Sequence, residues 1–221
     1  MSTIILDHPA IVNHYDSVID IYKQMDSFEL TKKTLGNWIA LVEFHCKDIG
    51  SHFLKAEDIE PELKKQLIED EKNKFRGDMF EIFSEIFFKL SPADNRFGLT
   101  NYQVTNSDDD YGVDATGINY ANHPTVVQCK YRMNFNSENS MISYEDIAKT
   151  YADGKLRLKY ELTQPHTICL ITTSKSISYI IGKIFGNLFV EINGKNLESC
   201  VNKNANFWTL AHQSIINVME E

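Results

Sequence analysis

Four side chains of complementary chemistry fall at spacings that would let them meet. Asp114 is a lone carboxylate in the apolar stretch Val113-Asp114-Ala115, and Gln128 and Lys130 flank Cys129 near the end of the next apolar stretch. Glu81 lies upstream in the helix-like run GDMFEIFSEIFF. Successive side chains of a strand alternate between faces, so Gln128 and Lys130 share one face and Cys129 takes the other. The interval between Asp114 and Gln128 leaves room for a short turn, which would set the two side by side on paired antiparallel strands. A carboxylate in an apolar sheet is costly unless it is paired or bound to a cation. At the level of Asp114 the available partners are Gln128, Lys130 and a metal ion.

Magnesium takes hard oxygen ligands in octahedral geometry and keeps several waters. The Asp114 carboxylate, the Gln128 amide oxygen and a backbone carbonyl near Cys129 would form a minimal open site. Glu81 would hold a bound water or a second ion. Lys130 beside them would orient or help deprotonate an attacking water and stabilise charge building on a phosphate. These are the parts of a metal-dependent phosphodiesterase. Each residue also has a plainer reading. Asp114 and Lys130 would make a simple inter-strand ion pair, and Glu81 a solvated helix carboxylate with Glu85 as its rival one turn later. The triplet Asp108-Asp109-Asp110 reads as a turn.

The elements that must position these residues follow from periodicity. Residues 1–70 read as about three short helices, with Ile11, Tyr15, Val18, Ile19, Tyr22 and Met25 at three- and four-residue steps, and then Leu35, Trp38, Leu41 and Val42. Pro61 suits the first turn of the last helix. The character changes near Asn73, and Phe75 to Leu90 reads as one amphipathic helix. Three strands follow as a meander, at 102–106, 111–118 and 124–132, separated by turn chemistry at 107–110 and 119–124. Ser143-x-x-Asp146 resembles a capping box opening a crossover helix through about Tyr160. HTICLITTS is a fully apolar strand of the kind buried in a sheet centre. A helix at 177–185, a strand at 188–192 and a helix at 206–219 complete the order. The expected class is α/β, a mixed central sheet flanked by helices, with a helical N-terminal extension over 1–70 and the main domain over 71–221.

The chain of 221 residues is long enough for one domain with a real core. Its 43% hydrophobic and 24% charged residues place it among globular rather than disordered chains. No apolar run approaches the roughly 20 residues that span a bilayer, so no membrane partner is expected. The start, MSTIILDHPA, lacks the basic region of a secretory signal. Cys46, Cys129, Cys169 and Cys200 lie far apart with no CxxC, which reads as reduced thiols of a cytoplasmic protein. His45, Cys46 and His52 fit no common zinc spacing and read as ordinary helix residues. The net charge of −9 argues against a general nucleic-acid coat protein, though not against an enzyme with one local basic face.

Four segments in order resemble the PD-(D/E)xK nuclease superfamily, with its restriction-endonuclease-like fold, and most closely its Mrr-like branch. Gly77-Asp78-Met79-Phe80-Glu81 matches a G-x-x-F-E helix, and Asp110-Tyr111-Gly112-Val113-Asp114 a D-x-G-x-D hairpin. Val127-Gln128-Cys129-Lys130 matches a V-Q-x-K strand, and Leu170-Ile171-Thr172-Thr173-Ser174 an apolar strand ending in Thr/Ser. The resemblance spans about residues 73–192. It departs from the family pattern in having Val rather than Pro before Asp114, and in using Gln128 where other branches carry an acid. The resemblance implies a Mg²⁺- or Mn²⁺-dependent DNA endonuclease that works by attack of a metal-activated water and leaves 5′-phosphate and 3′-hydroxyl ends. It implies Asp114, Gln128 and Glu81 at the metal and Lys130 as the catalytic lysine. Partners would be DNA, a second copy of the chain in a homodimer, and a larger restriction or helicase system. Alternatives are a non-catalytic nucleic-acid-binding module of the same fold and an RNA-cleaving member. Small-molecule hydrolysis lacks any GxSxG, HExxH or phosphate-cradling glycine loop.

A phosphate-contacting face is expected from Lys149, Lys155, Arg157 and Lys159, with Tyr151 and Tyr160 interleaved. Lys72, Lys74 and Arg76 precede the motif helix, and Arg132 follows Lys130. Such contacts give salt-dependent, sequence-blind binding. The plainer reading is the solvated side of an amphipathic segment, with Tyr144 and Tyr151 packed in the core.

Overall fold

Strand β3 (Pro124–Lys130), rich in β-branched and apolar residues, forms the middle of a five-stranded sheet. The structure, a computed structural model, describes residues 4–56, 58–91, 97–105, 112–132, 142–157, 166–175 and 179–218. Strands β1 (Leu99–Val104), β2 (Ala115–Asn119), β3, β4 (Thr167–Thr172) and β5 (Phe189–Ile192) lie side by side in chain order. The first three pair antiparallel, whereas β3–β4 and β4–β5 are parallel. Parallel neighbours need a crossover, and α5 (Tyr144–Arg157) and α6 (Tyr179–Phe185) stand in those two connections. The molecule is therefore α/β, with a mixed sheet flanked by helices.

The β2–β3 turn is built by one side chain. Asn119 Oδ1 accepts the backbone N–H groups of Ala121 and His123, both at 3.0 Å. Asn122 supplies the left-handed φ of 60° that closes the loop. The register that results sets Ala115 opposite Val127. β2 starts later than expected, at Ala115, yet Asp114 is held at its head. Its N–H donates to the Val127 carbonyl, and its carbonyl accepts from Thr105 N–H.

Apolar side chains divide between the two faces of the sheet. On one, Ala115, Val127, Cys129, Cys169, Ile171 and Ile192 pack against α4 (Pro61–Leu90) and the helices behind it. On the other, Val126, Ile168 and Leu170 meet Ile147 of α5 and Ile181 of α6. Gly154 lets α5 approach closely, because a Cβ there would stand 3.0 Å from both Val126 methyls and from His166 Nε2. Gly154→Ala should therefore lower unfolding stability by about 1–3 kcal/mol, through a shift of α5 off the sheet, as read by urea denaturation.

The N-terminal helices differ from expectation in one respect. Helices α1 (Ala10–Asn13), α2 (Tyr15–Ser27) and α3 (Leu35–His45) are separate, but α4 is one helix of 30 residues. Residues 61–76 carry Glu, Lys and Gln, good helix formers, with Pro61 at the first turn and no later proline to stop it. The expected junction between residues 70 and 71 falls inside this helix, and a single apolar cluster unites Val18, Trp38, Phe83, Val127 and Trp208. Helix α7 (Gly194–Val201) was not anticipated. It is started by Asn193, whose side chain accepts from Lys195 and Asn196 N–H, while Asn196 caps Asn193 N–H in return. The last helix, α8 (Ala205–Val218), packs on α2. None of the four cysteines is in a disulfide. Among the described residues no helix is long and apolar enough to cross a membrane.

Candidate active site

The carboxylate of Asp114 is fixed by donors from β3. Its Oδ2 accepts from Gln128 Nε2 at 2.6 Å and from the backbone N–H of Cys129. The other end of the Gln128 amide accepts from the Thr150 hydroxyl of α5 at 2.7 Å, and the same hydroxyl stands 3.1 Å from the Gly112 carbonyl. Asp114 fixes which way the amide points, because a carboxylate only accepts, so the NH₂ group faces Asp114 and the oxygen faces Thr150. Gln128 is buried and Asp114 half-buried. Burial first, then the Asp114 and Glu81 carboxylates, push the Cys129 thiol well above the usual thiol range. Both acids therefore act on the same end of β3.

Glu81 reaches this end from α4. Its Oε2 lies 3.0 Å from Nε2 of the buried His8. Glu85, one turn later, is fully buried, and its oxygens accept from the N–H groups of Asp7 and His8 and from Lys89. Of the two rivals, Glu81 is the one that opens on solvent.

Glu81, Asp114, Gln128 and Lys130 line one cleft of about 890 Å³, together with Gly77, Arg132 and Lys149. Lys130 is half-buried, and its ammonium has no ion-pair or hydrogen-bond partner among the described residues. The simple ion pair with Asp114 is not formed. The Thr/Ser end of β4 holds the backbone around this lysine. Thr172 Oγ1 donates to the Lys130 carbonyl at 2.6 Å, and Thr173 Oγ1 bonds both the N–H and the carbonyl of Arg132.

The other basic candidates are used differently. Arg76 also lines the cleft but is buried, with Nε and Nη2 on the Glu43 carboxylate and Nη1 on Glu69. Burial disfavours its charge, yet those carboxylates raise its pKa above the ordinary arginine value. Tyr131 donates to Glu43 at 2.7 Å, and burial, then that carboxylate, push its phenol up. This wall is closed by its own pairing and offers no free cation. Tyr151 does not line the cleft. Its ring stacks on His166 at 4.9 Å and packs on Phe185 at 5.2 Å. Lys155 and Arg157 lie on α5 with side chains outside the described set, and Lys159, Tyr160 and Asp108 to Tyr111 lie outside the described residues.

Sequence reasoning did not single out His8 or Thr150. Thr150 had a signal, a polar residue within the buried stripe Ile147, Thr150, Tyr151 and Gly154 of α5. His8 stands 73 residues from Glu81, and no local pattern marks it.

Asp114 and Glu81 suit a hard divalent cation. Among the described residues no three His, Cys, Asp or Glu side chains stand together as a metal cage. Magnesium does not need one, since one or two carboxylates plus water and substrate phosphate suffice. In this arrangement the Gln128 amide nitrogen faces Asp114 and its oxygen faces the Thr150 hydroxyl. Gln128→Glu would replace the donor to Asp114 by a second carboxylate. The metal-free variant should lose about 1–3 kcal/mol. Added Mg²⁺ should raise its melting temperature more than that of the wild type, as differential scanning fluorimetry would record.

Comparison with protein-family models, with curated proteins and with solved structures found no match.

Proposed function

We propose that the chain is a metal-dependent phosphodiester hydrolase that cleaves DNA, with Asp114 and Glu81 holding Mg²⁺ or Mn²⁺ and Lys130 as the catalytic lysine. One observation carries the reading. Two carboxylates from different elements and a lysine with no partner among the described residues line a single polar cleft large enough for a phosphodiester and its waters. When bound, the cation would polarise a phosphoryl oxygen. Lys130 would donate to the attacking water or a phosphoryl oxygen and offset the charge that develops there. Gln128, held by Thr150, keeps Asp114 in one orientation. Arg132 and Lys149 at the rim would contact flanking phosphates, with affinity that falls as salt rises.

The closed Asp114–Gln128 pair favours a second reading, a nucleic-acid-binding module without catalysis. Incubating end-labelled duplex DNA and the matching RNA with the protein, in Mg²⁺ or in EDTA, separates the cases. Metal-dependent cutting of DNA is expected. Salt-sensitive binding without cutting would select the binding module, and cutting of RNA alone would change the substrate.

A further inference from the structure

Asp78, Glu81 and Glu85 recur at three- and four-residue steps of α4, so they share one face of that helix. The N-terminal segment meets each of them. His14 Nε2 is 2.8 Å from Asp78 Oδ2, and His8 Nε2 is 3.0 Å from Glu81 Oε2. The backbone N–H groups of Asp7 and His8 donate to Glu85 at 2.8 and 3.2 Å. Lys89 ties Glu85 to Asp7 and to the Ile5 carbonyl.

We propose that His8 is a positioning residue of the cleft, orienting the Glu81 carboxylate so that its second oxygen serves the divalent cation. The inference rests on the cation reading of the cleft. Ala10 N–H donates to His8 Nδ1 at 3.2 Å, so Nδ1 is the acceptor of the ring and the proton sits on Nε2, facing Glu81. The imidazole is sealed, with its side chain 6% exposed, whereas the Glu81 side chain is 31% exposed. Glu81 Oε2 is taken by His8, and Oε1 has no partner among the described residues. A carboxylate held at one oxygen by a buried donor and open at the other is oriented before any cation arrives. Such outer-shell partners typically contribute about 10–100-fold to metal affinity or activity. Anchoring of the segment does not depend on the imidazole, because the Asp7 and His8 N–H groups and Lys89 provide it through Glu85.

The test is Mn²⁺ binding to the whole chain by calorimetry, without nucleic acid, for wild type, His8→Ala, His8→Leu and His8→Gln. Melting in EDTA is recorded beside it as the measure of structural cost. Loss of the N–H in His8→Ala and His8→Leu should weaken Mn²⁺ binding by about 10–100-fold. His8→Gln, whose amide can donate from a similar position, should recover most of that loss. If His8→Ala fails to fold, His8→Leu against His8→Gln carries the comparison, since both fill the site. Wild-type affinity in His8→Leu, or no recovery in His8→Gln, would overturn the role of His8 alone. Absence of Mn²⁺ binding by the wild type would remove the cation reading of the cleft and this inference with it.

Discussion

Asp114→Ala is expected to lose cleavage and stability together. Asp114 Oδ2 is the acceptor for Gln128 Nε2 and Cys129 N–H, and both donors belong to buried residues. Each stranded donor costs about 1–3 kcal/mol, so the loss of two should lower unfolding free energy by about 2–6 kcal/mol. Cleavage should fall by at least about 100-fold, because even an outer-shell partner of a metal ligand contributes 10–100-fold and here a ligand is removed. Asp114→Asn separates the two effects. Its carbonyl oxygen can still accept from Cys129 N–H, so most of the stability should survive, while the charge is gone and cleavage should not recover. Urea denaturation in EDTA and cleavage rates in Mg²⁺ supply the two readouts. An Asn variant as active as wild type would remove Asp114 from the chemistry.

The largest effect on stability is expected at Phe83. Its ring is fully buried, 4.8 Å from Trp38 of α3, 5.9 Å from Phe207 and 6.3 Å from Trp208 of α8. Phe80 and Phe87 stack on it from the same helix. Phe83→Ala removes the side chain where the N-terminal helices, the motif helix and the C-terminal helix meet, at a cost of about 3–5 kcal/mol. That is a large fraction of the roughly 5–15 kcal/mol that holds a domain folded. Since one apolar cluster joins these parts, chemical unfolding of the wild type should be a single transition. A separate transition for residues 1–70 would show instead that they fold on their own.

The features legible in the sequence were those written in short-range pattern. Alternation along Val126 to Lys130 and the apolar run of β4 located the central strands, and the interval from Asp114 to Gln128 matched a hairpin that sets them side by side. The helix order of the sheet's connections followed from the same periodicities. Long-range contacts left no such trace. Nothing near His8 indicates that its ring faces a carboxylate on α4, and Arg76 resembles a phosphate contact until Glu43 and Glu69 are seen around it. Tyr151 is interleaved with the basic residues of its helix, and no local pattern shows that His166 and Phe185, from later elements, pack against its ring. The continuity of α4 was obscured by reading a change of composition near Asn73 as a boundary, although nothing there breaks a helix. Helix α7 was missed because its capping box is built from two asparagines rather than a Ser/Thr and a Glu.

Lys130 offers the most direct test, because its ammonium supports no other described group and its loss should spare the fold. Supercoiled plasmid should be incubated with wild type and with Lys130→Ala, each in Mg²⁺, in Mn²⁺ and in EDTA. The proposed chemistry requires nicking or linearisation by the wild type in either metal, none in EDTA, and a rate about 10²–10³-fold lower in Lys130→Ala. Equal cleavage by the two proteins, or cleavage by the wild type that persists in EDTA, would contradict it.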